Sequence, residues 1–173
     1  NNFIFLYITT RINEILLIYF SLKNIHKYPK GKSPMQKSRH QNFWNYYIKK
    51  ISPKLQQIDI LLKTETHNIS TKTTSLLLGI EENEIRKIML SKNISQITST
   101  NFFTIVLNGK SYICDIIQRE FILNSPENYT ASDISYIYNL DYSNIEKAFT
   151  FLNIETVSSN YLKSIFIQIP YSE

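Results

Sequence analysis

From Asn42 onward, apolar residues recur at helical spacing. Phe43, Tyr47 and Ile51 stand four apart, with Trp44 and Ile48 beside them. Recurrence every three to four residues puts side chains on one face of a helix. Ser52-Pro53 predicts an end to that helix and the start of another, because Ser caps a helix N-terminus and Pro is tolerated at the first helical position. Leu55, Ile58, Leu61 and Leu62 form the apolar face of the second helix.

Two later stretches, sixty residues apart, share one pattern. The first runs Ser70-Thr71, Leu76-Leu77-Leu78-Gly79-Ile80-Glu81, then Ile85, Lys87, Met89 and Asn93-Ile94. The second runs Thr130-Ala131, Tyr136-Ile137-Tyr138-Asn139-Leu140-Asp141, then Ile145, Lys147, Phe149 and Asn153-Ile154. The match continues as Ile97-Thr98-Ser99 against Val157-Ser158-Ser159. Such self-similarity predicts two copies of one small helical unit. In the first, Ser70 or Thr71 caps a short helix through Leu78, and Gly79 supplies a tight left-handed turn that is cheap without a Cβ. Ile80 points inward, and a second helix over Glu82 to Leu90 turns Ile85, Ile88 and Met89 toward the first. In the second copy, Thr130 and Asp133 form a capping-box-like pair. Asn139 takes the place of Gly79, as the residue next best able to adopt the left-handed conformation. Asp141 or Ser143 caps the last helix.

Between the copies, Ser99 is expected to cap a helix over Asn101 to Leu107, ended by Asn108-Gly109. An Asn-Gly pair is also a hairpin signal, so a short strand over 102–107 is the alternative. Ser111 then caps a helix through Leu123, with Ile113, Ile116, Ile117 and Phe121 inward.

Ahead of Asn42 the pattern differs. Residues 3–22 are strongly apolar but carry Arg11, Asn13 and Glu14 at their centre. A membrane-spanning helix needs about 20 apolar residues, and a central charge costs about 2.5–3.5 kcal/mol. No membrane span is therefore expected. A signal peptide would place its basic residues first. Two readings stay open for residues 1–34. One is an amphipathic, partner-seeking extension. The other takes Met35 as the natural start, with Lys30-Gly31 encoded by a ribosome-binding site. Residues 26–41 hold Pro29, Gly31, Pro34 and five basic residues, a composition expected of a mobile segment.

Composition narrows the class. Three glycines and five prolines among 173 residues argue against a turn-rich β fold and against a glycine-rich phosphate loop. One cysteine, Cys114, excludes an internal disulfide framework and points to a reduced, cytoplasmic setting. Abundant Ile, Asn, Lys, Tyr and Phe match the codon bias of an AT-rich bacterial genome. The net charge of +5 is unevenly divided. Residues 15–58 contain nine basic and no acidic residues, whereas residues 59–173 contain nine basic and thirteen acidic ones, a net of −4.

Signs of catalysis are sparse. His26, His40 and His67 have no partners at metal-ligand spacing. Cys114 lies on an apolar helix and reads as a buried structural thiol rather than a nucleophile. No cofactor, no metal and no enzymatic activity are expected.

Thr71 to Met89 resembles the helix-turn-helix of small bacterial regulators of the excisionase and MerR kind, in which a Leu-Leu-Gly-Ile/Val turn precedes the recognition helix. The resemblance covers about twenty residues in each copy. It implies double-stranded DNA as partner, with recognition helices over Glu82 to Leu90 and Tyr142 to Phe151 and a wing over Phe102 to Tyr112. Residues near the start of such a helix meet base edges in the major groove. The exposed candidates are Asn83, Arg86 and Lys87 in the first copy, and Tyr142, Ser143, Asn144 and Lys147 in the second. Against this stand Glu81, Glu82, Glu84, Asp141 and Glu146, which favour the helix dipole but repel phosphates. Lys37, Arg39, Lys49, Lys50 and Lys54 would hold the phosphates instead. Trp44, Tyr46 and Tyr47 lie among them. They are either a stacking surface for single-stranded nucleic acid or core residues of a helix whose lysines face water.

The chain is thus expected to be a mainly all-α protein of tandem helix-turn-helix units, with a short β wing near 102–112 as the alternative to helix there. The expected segments are 1–34, a basic helical segment 35–68, a first unit 69–124 and a second unit 125–173. The expected function is sequence-specific duplex DNA binding in transcriptional regulation, with the second copy free to serve as a homodimer surface. The alternative is a protein-protein interaction module whose acidic helix faces bind a regulatory partner.

Overall fold

A computed structural model describes residues 41–64 and 68–171. The expectations for residues 1–34, the mobile segment, Met35, Lys37, Arg39 and the three histidines lie outside the described residues.

The described chain is mainly helical. It begins with strand β1 (Gln41–Asn42), α1 (Phe43–Tyr46), a π-helical turn (Tyr47–Ile51) and α2 (Ser52–Thr64). The Asn42 side chain caps α1, accepting from the Asn45 N–H at 3.1 Å. The expected break at Ser52-Pro53 does not occur. Ser52 keeps helical angles (φ −52, ψ −45), and the helix runs on through Pro53. A proline ring presses on the carbonyl four residues back and offers no N–H. Here the preceding turn widens, with the Ser52 N–H reaching the Tyr47 carbonyl five residues away, and this relieves the clash. Phe43, Tyr47, Ile51, Leu55, Ile58 and Leu62 stay on one face and are all buried.

The two units then follow in matching steps. In the first, α3 (Thr71–Leu78) and α4 (Glu82–Ser91) are joined through Gly79, in the left-handed region at φ 68 and ψ 36. In the second, α7 (Ala131–Tyr138) and α8 (Tyr142–Leu152) are joined through Asn139 at φ 51 and ψ 49. Ser70 caps α3 by accepting from the Thr73 N–H at 3.0 Å. Thr130 and Asp133 form a reciprocal capping box on α7. Asp141, not Ser143, caps α8. Each unit is bracketed by a small antiparallel pairing, Ile69 with Ile97 in the first and β2 (Asn128–Tyr129) with β3 (Val157–Ser158) in the second.

Each unit ends in one more helix. In the first it is α5 (Ser99–Asn108), capped by Thr98 rather than Ser99. In the second, a 3₁₀ turn (Ser159–Tyr161) leads into α9 (Leu162–Phe166). Residues 102–112 therefore form no wing. They are the end of α5, a short turn, and the start of α6 (Tyr112–Ile122). An Asn-Gly hairpin needs positive φ, whereas Gly109 has φ −82. Phe102, Ile105 and Val106 bury one helical face, and that burial decides the conformation.

Two helical runs connect the units. Helix α6 packs on α5 and on α7, carrying the chain from the first unit to the second. The run from Phe43 to Thr64 does the converse. Its start packs on α9, and β1 pairs with β4 (Pro170–Tyr171) in the register Gln41 to Tyr171. Its later part, α2, packs on α3. One apolar cluster runs through all of these elements. At its aromatic end, Phe43 lies 4.8 Å from Phe166 and 5.9 Å from Tyr138 between ring centres.

Among the described residues, no helix is long and apolar enough to cross a membrane.

Candidate nucleic-acid interface

Helix α4 buries Ile85 and Ile88 against α3 and half-buries Met89. That fixes its rotation. Asn83, Arg86, Lys87 and Leu90, spaced by three, four and seven, form the outward row, and all four are exposed. Helix α8 buries Ile145, Ala148 and Phe149, and turns Ser143, Glu146, Lys147 and Thr150 outward. Of the expected second-copy residues, Tyr142, Ser143 and Lys147 are exposed. Asn144 is half-buried, a correction to its expected exposure, because it follows Ser143 around toward the core side beside Ile145.

The start of α4 lies against the start of α3. The Thr71 hydroxyl donates to the Glu82 carboxylate at 3.0 Å, and Arg86 approaches the same oxygen at 3.4 Å. Glu82 thus has local partners, while Glu81 is exposed and Glu84 half-buried. In the second unit, Ala131 and Tyr142 stand where Thr71 and Glu82 bond. A shallow cleft lined by Ala131, Tyr142, Glu146, Phe149 and Asn153 is left there. The Tyr142 hydroxyl is 3.5 Å from Glu146. At the α8 cap, the Ser143 hydroxyl (2.6 Å) and then the Asn144 N–H (3.0 Å) hold the Asp141 carboxyl below its ordinary pKa.

Lys49 and Lys50 are exposed on the π-helical turn. Lys54 is half-buried, and its ammonium lies 3.4 Å from the position a Cβ would take on Gly79. The structure therefore brings one of the expected phosphate-binding lysines to the turn of the first unit. In the second unit a comparable place beside the end of α7 is taken by Arg119. Its guanidinium donates to the Tyr136 and Ile137 carbonyls at 3.1 and 3.4 Å and lies 5.7 Å over the Tyr136 ring. No local signal in the sequence predicts either placement, since each joins residues distant along the chain.

The aromatic residues of the basic stretch divide. Phe43 and Tyr47 are core. Tyr46 is half-buried 4.4 Å from the Tyr171 ring, and Trp44 is stacked on Tyr47 with the Lys163 ammonium 5.6 Å from its ring centre. Cys114 is fully buried, and desolvation pushes its thiol up to about 11.

No family model, curated protein sequence or solved structure matches this chain.

Proposed function

We propose that this chain is a cytoplasmic, sequence-specific duplex DNA-binding protein acting in transcriptional regulation. The observation that carries this reading is the outward row Asn83, Arg86 and Lys87 on α4, whose opposite face is committed to the core. Asn can bond adenine bidentately and Arg guanine in the major groove. Lys54, beside the Gly79 turn, adds positive charge at the first unit, and Lys49 and Lys50 are exposed on the preceding π-helical turn; phosphate contacts require such charge.

A second reading is a protein-interaction module. It is favoured by the carboxylates Glu81, Glu84, Asp141 and Glu146 on or beside the two recognition helices, and by the net charge of −4 after Ile58. Such faces would suit a basic protein partner.

Affinity selection of sheared genomic DNA by the purified protein separates the two. A few enriched sites sharing a motif support sequence-specific binding. Uniform weak recovery that vanishes at about 0.2 M salt would reduce the DNA role to general charge attraction. In the Lys49→Ala, Lys50→Ala and Lys54→Ala variants, each lost phosphate contact should lower the slope of log affinity against log salt by about 0.9.

A further inference from the structure

The two units share caps, left-handed turns and bracketing strand pairs, yet they present different chemistry outward. The α4 row reads Asn83, Arg86, Lys87, Leu90; the equivalent α8 row reads Ser143, Glu146, Lys147, Thr150. Asn can make two hydrogen bonds to adenine and Arg two to guanine; each row also holds one Lys, and only the α4 row holds Asn and Arg. Their α8 counterparts are a hydroxyl and a carboxylate. The exposed aromatic residues Tyr136, Tyr142, Phe151 and Tyr161 also lie in the second unit; the positions sixty residues earlier hold Leu76, Glu82, Ser91 and Asn101.

The helix behind each unit differs in the same sense. Helix α2, packed on α3, carries Lys54, half-buried beside Gly79, and Lys63, paired with Asp59 at 2.6 Å, while Lys49 and Lys50 lie on the preceding π-helical turn, whose Tyr47 packs on Tyr138 and Phe166. Helix α6, packed on α7, carries Arg119 against Asp115 and Glu120, and Arg119 is engaged with backbone carbonyls. Lys54 beside the Gly79 turn favours phosphates there, while Arg119, in the comparable place of the second unit, is turned onto the Tyr136 and Ile137 carbonyls.

We infer that base reading is confined to the first unit, with Asn83 and Arg86 as the specificity-determining residues, and that the second unit does not select sequence. This rests on the DNA-binding reading above.

The test uses the full chain and the motif recovered by genomic selection. Arg86→Ala should weaken binding to that motif about tenfold or more and relax the preference at one base pair. Arg86→Lys should keep the salt slope but lose the preference, because an ammonium lacks the guanidinium fork. Ser143→Ala, Glu146→Ala and Lys147→Ala should change affinity less than about twofold and leave the preferred sequence intact. All these side chains are exposed, and unchanged melting temperatures would show that each variant folds. A changed base preference in any of the three second-unit variants overturns the inference while leaving the DNA reading intact. Recovery of no shared motif by the unaltered protein overturns both.

Discussion

The Tyr112 hydroxyl donates to the Tyr138 carbonyl at 2.8 Å, and the neighbouring Ser111 hydroxyl donates to the Leu78 carbonyl. Leu78 and Tyr138 are the last residues of α3 and α7. The final carbonyls of a helix lack intrahelical partners. The start of α6 thus supplies a donor to the end of α3 and to the end of α7 and ties the two together. Replacing Tyr112 by Phe keeps the ring and removes the donor. It should destabilise the protein by about 1 kcal/mol, read as a lower midpoint in urea unfolding.

Burial raises the pKa of Tyr112 above the ordinary tyrosine value of 10, and does the same for Tyr47 and Tyr138. In the unfolded chain these groups ionise near pH 10, while the folded protein keeps their protons. The folded state then binds more protons, so stability falls as pH rises above 10, by about 1.4 kcal/mol per pH unit for each group. Below that pH their contribution is fully present. Urea midpoints should be flat near pH 8, begin to fall above about pH 9 as the unfolded Cys114 thiol ionises, and fall more steeply above pH 10. A Tyr47→Phe variant that drops as steeply as the unaltered protein would contradict this.

Gly79 sits at φ 68, and its counterpart Asn139 at φ 51. A Cβ on Gly79 meets only ordinary contact with Lys54, so the penalty of substitution is conformational. Gly79→Ala should cost about 1 kcal/mol, and Gly79→Asn clearly less. Equal losses in thermal unfolding would show that crowding rather than φ governs the site.

Gly109 poses the opposite problem. Its φ of −82 suits any residue, but a Cβ there would clash with Ile80 Cδ1 and fall 3.1 Å from both Cys114 Sγ and the Ile105 carbonyl. Gly109→Ala should cost about 1–3 kcal/mol through overpacking. Adding Ile80→Val removes the nearest atom. The double variant should therefore lose less stability than the two single losses added together, a coupling that a double-mutant cycle reads directly. Strict additivity would refute the contact.

Cys114 beneath Gly109 is fully buried, and its thiol is pushed up to about 11. In native protein at pH 8, a thiol-specific chromogenic reagent should label none of it over minutes, and label it completely in denaturant. Rapid native labelling would show that α6 opens readily at its start.

Much of this architecture was legible along the chain. The helices α3, α4, α7 and α8 followed from local rules: apolar spacing, Ser70 and Thr130 as caps, and Gly79 and Asn139 at left-handed turns. These signals act within a few residues, so the sequence carries them explicitly. The continuous helix through Pro53 was not legible, because its cost is absorbed by a widened turn that also keeps Phe43, Tyr47, Ile51 and Leu55 on one buried face. Nor was the fate of Asn108-Gly109, where burial of Phe102, Ile105 and Val106 overrode a hairpin signal. The sequence named Asn83, Arg86 and Lys87 of the α4 row and Tyr142, Ser143 and Lys147 on α8 as exposed, and Asn144 alone among its candidates on these two helices is half-buried. Only the tertiary structure put Lys54 beside Gly79, Arg119 on the end of α7, and α1 against α9, since those contacts join residues far apart in the chain and depend on how the helices pack.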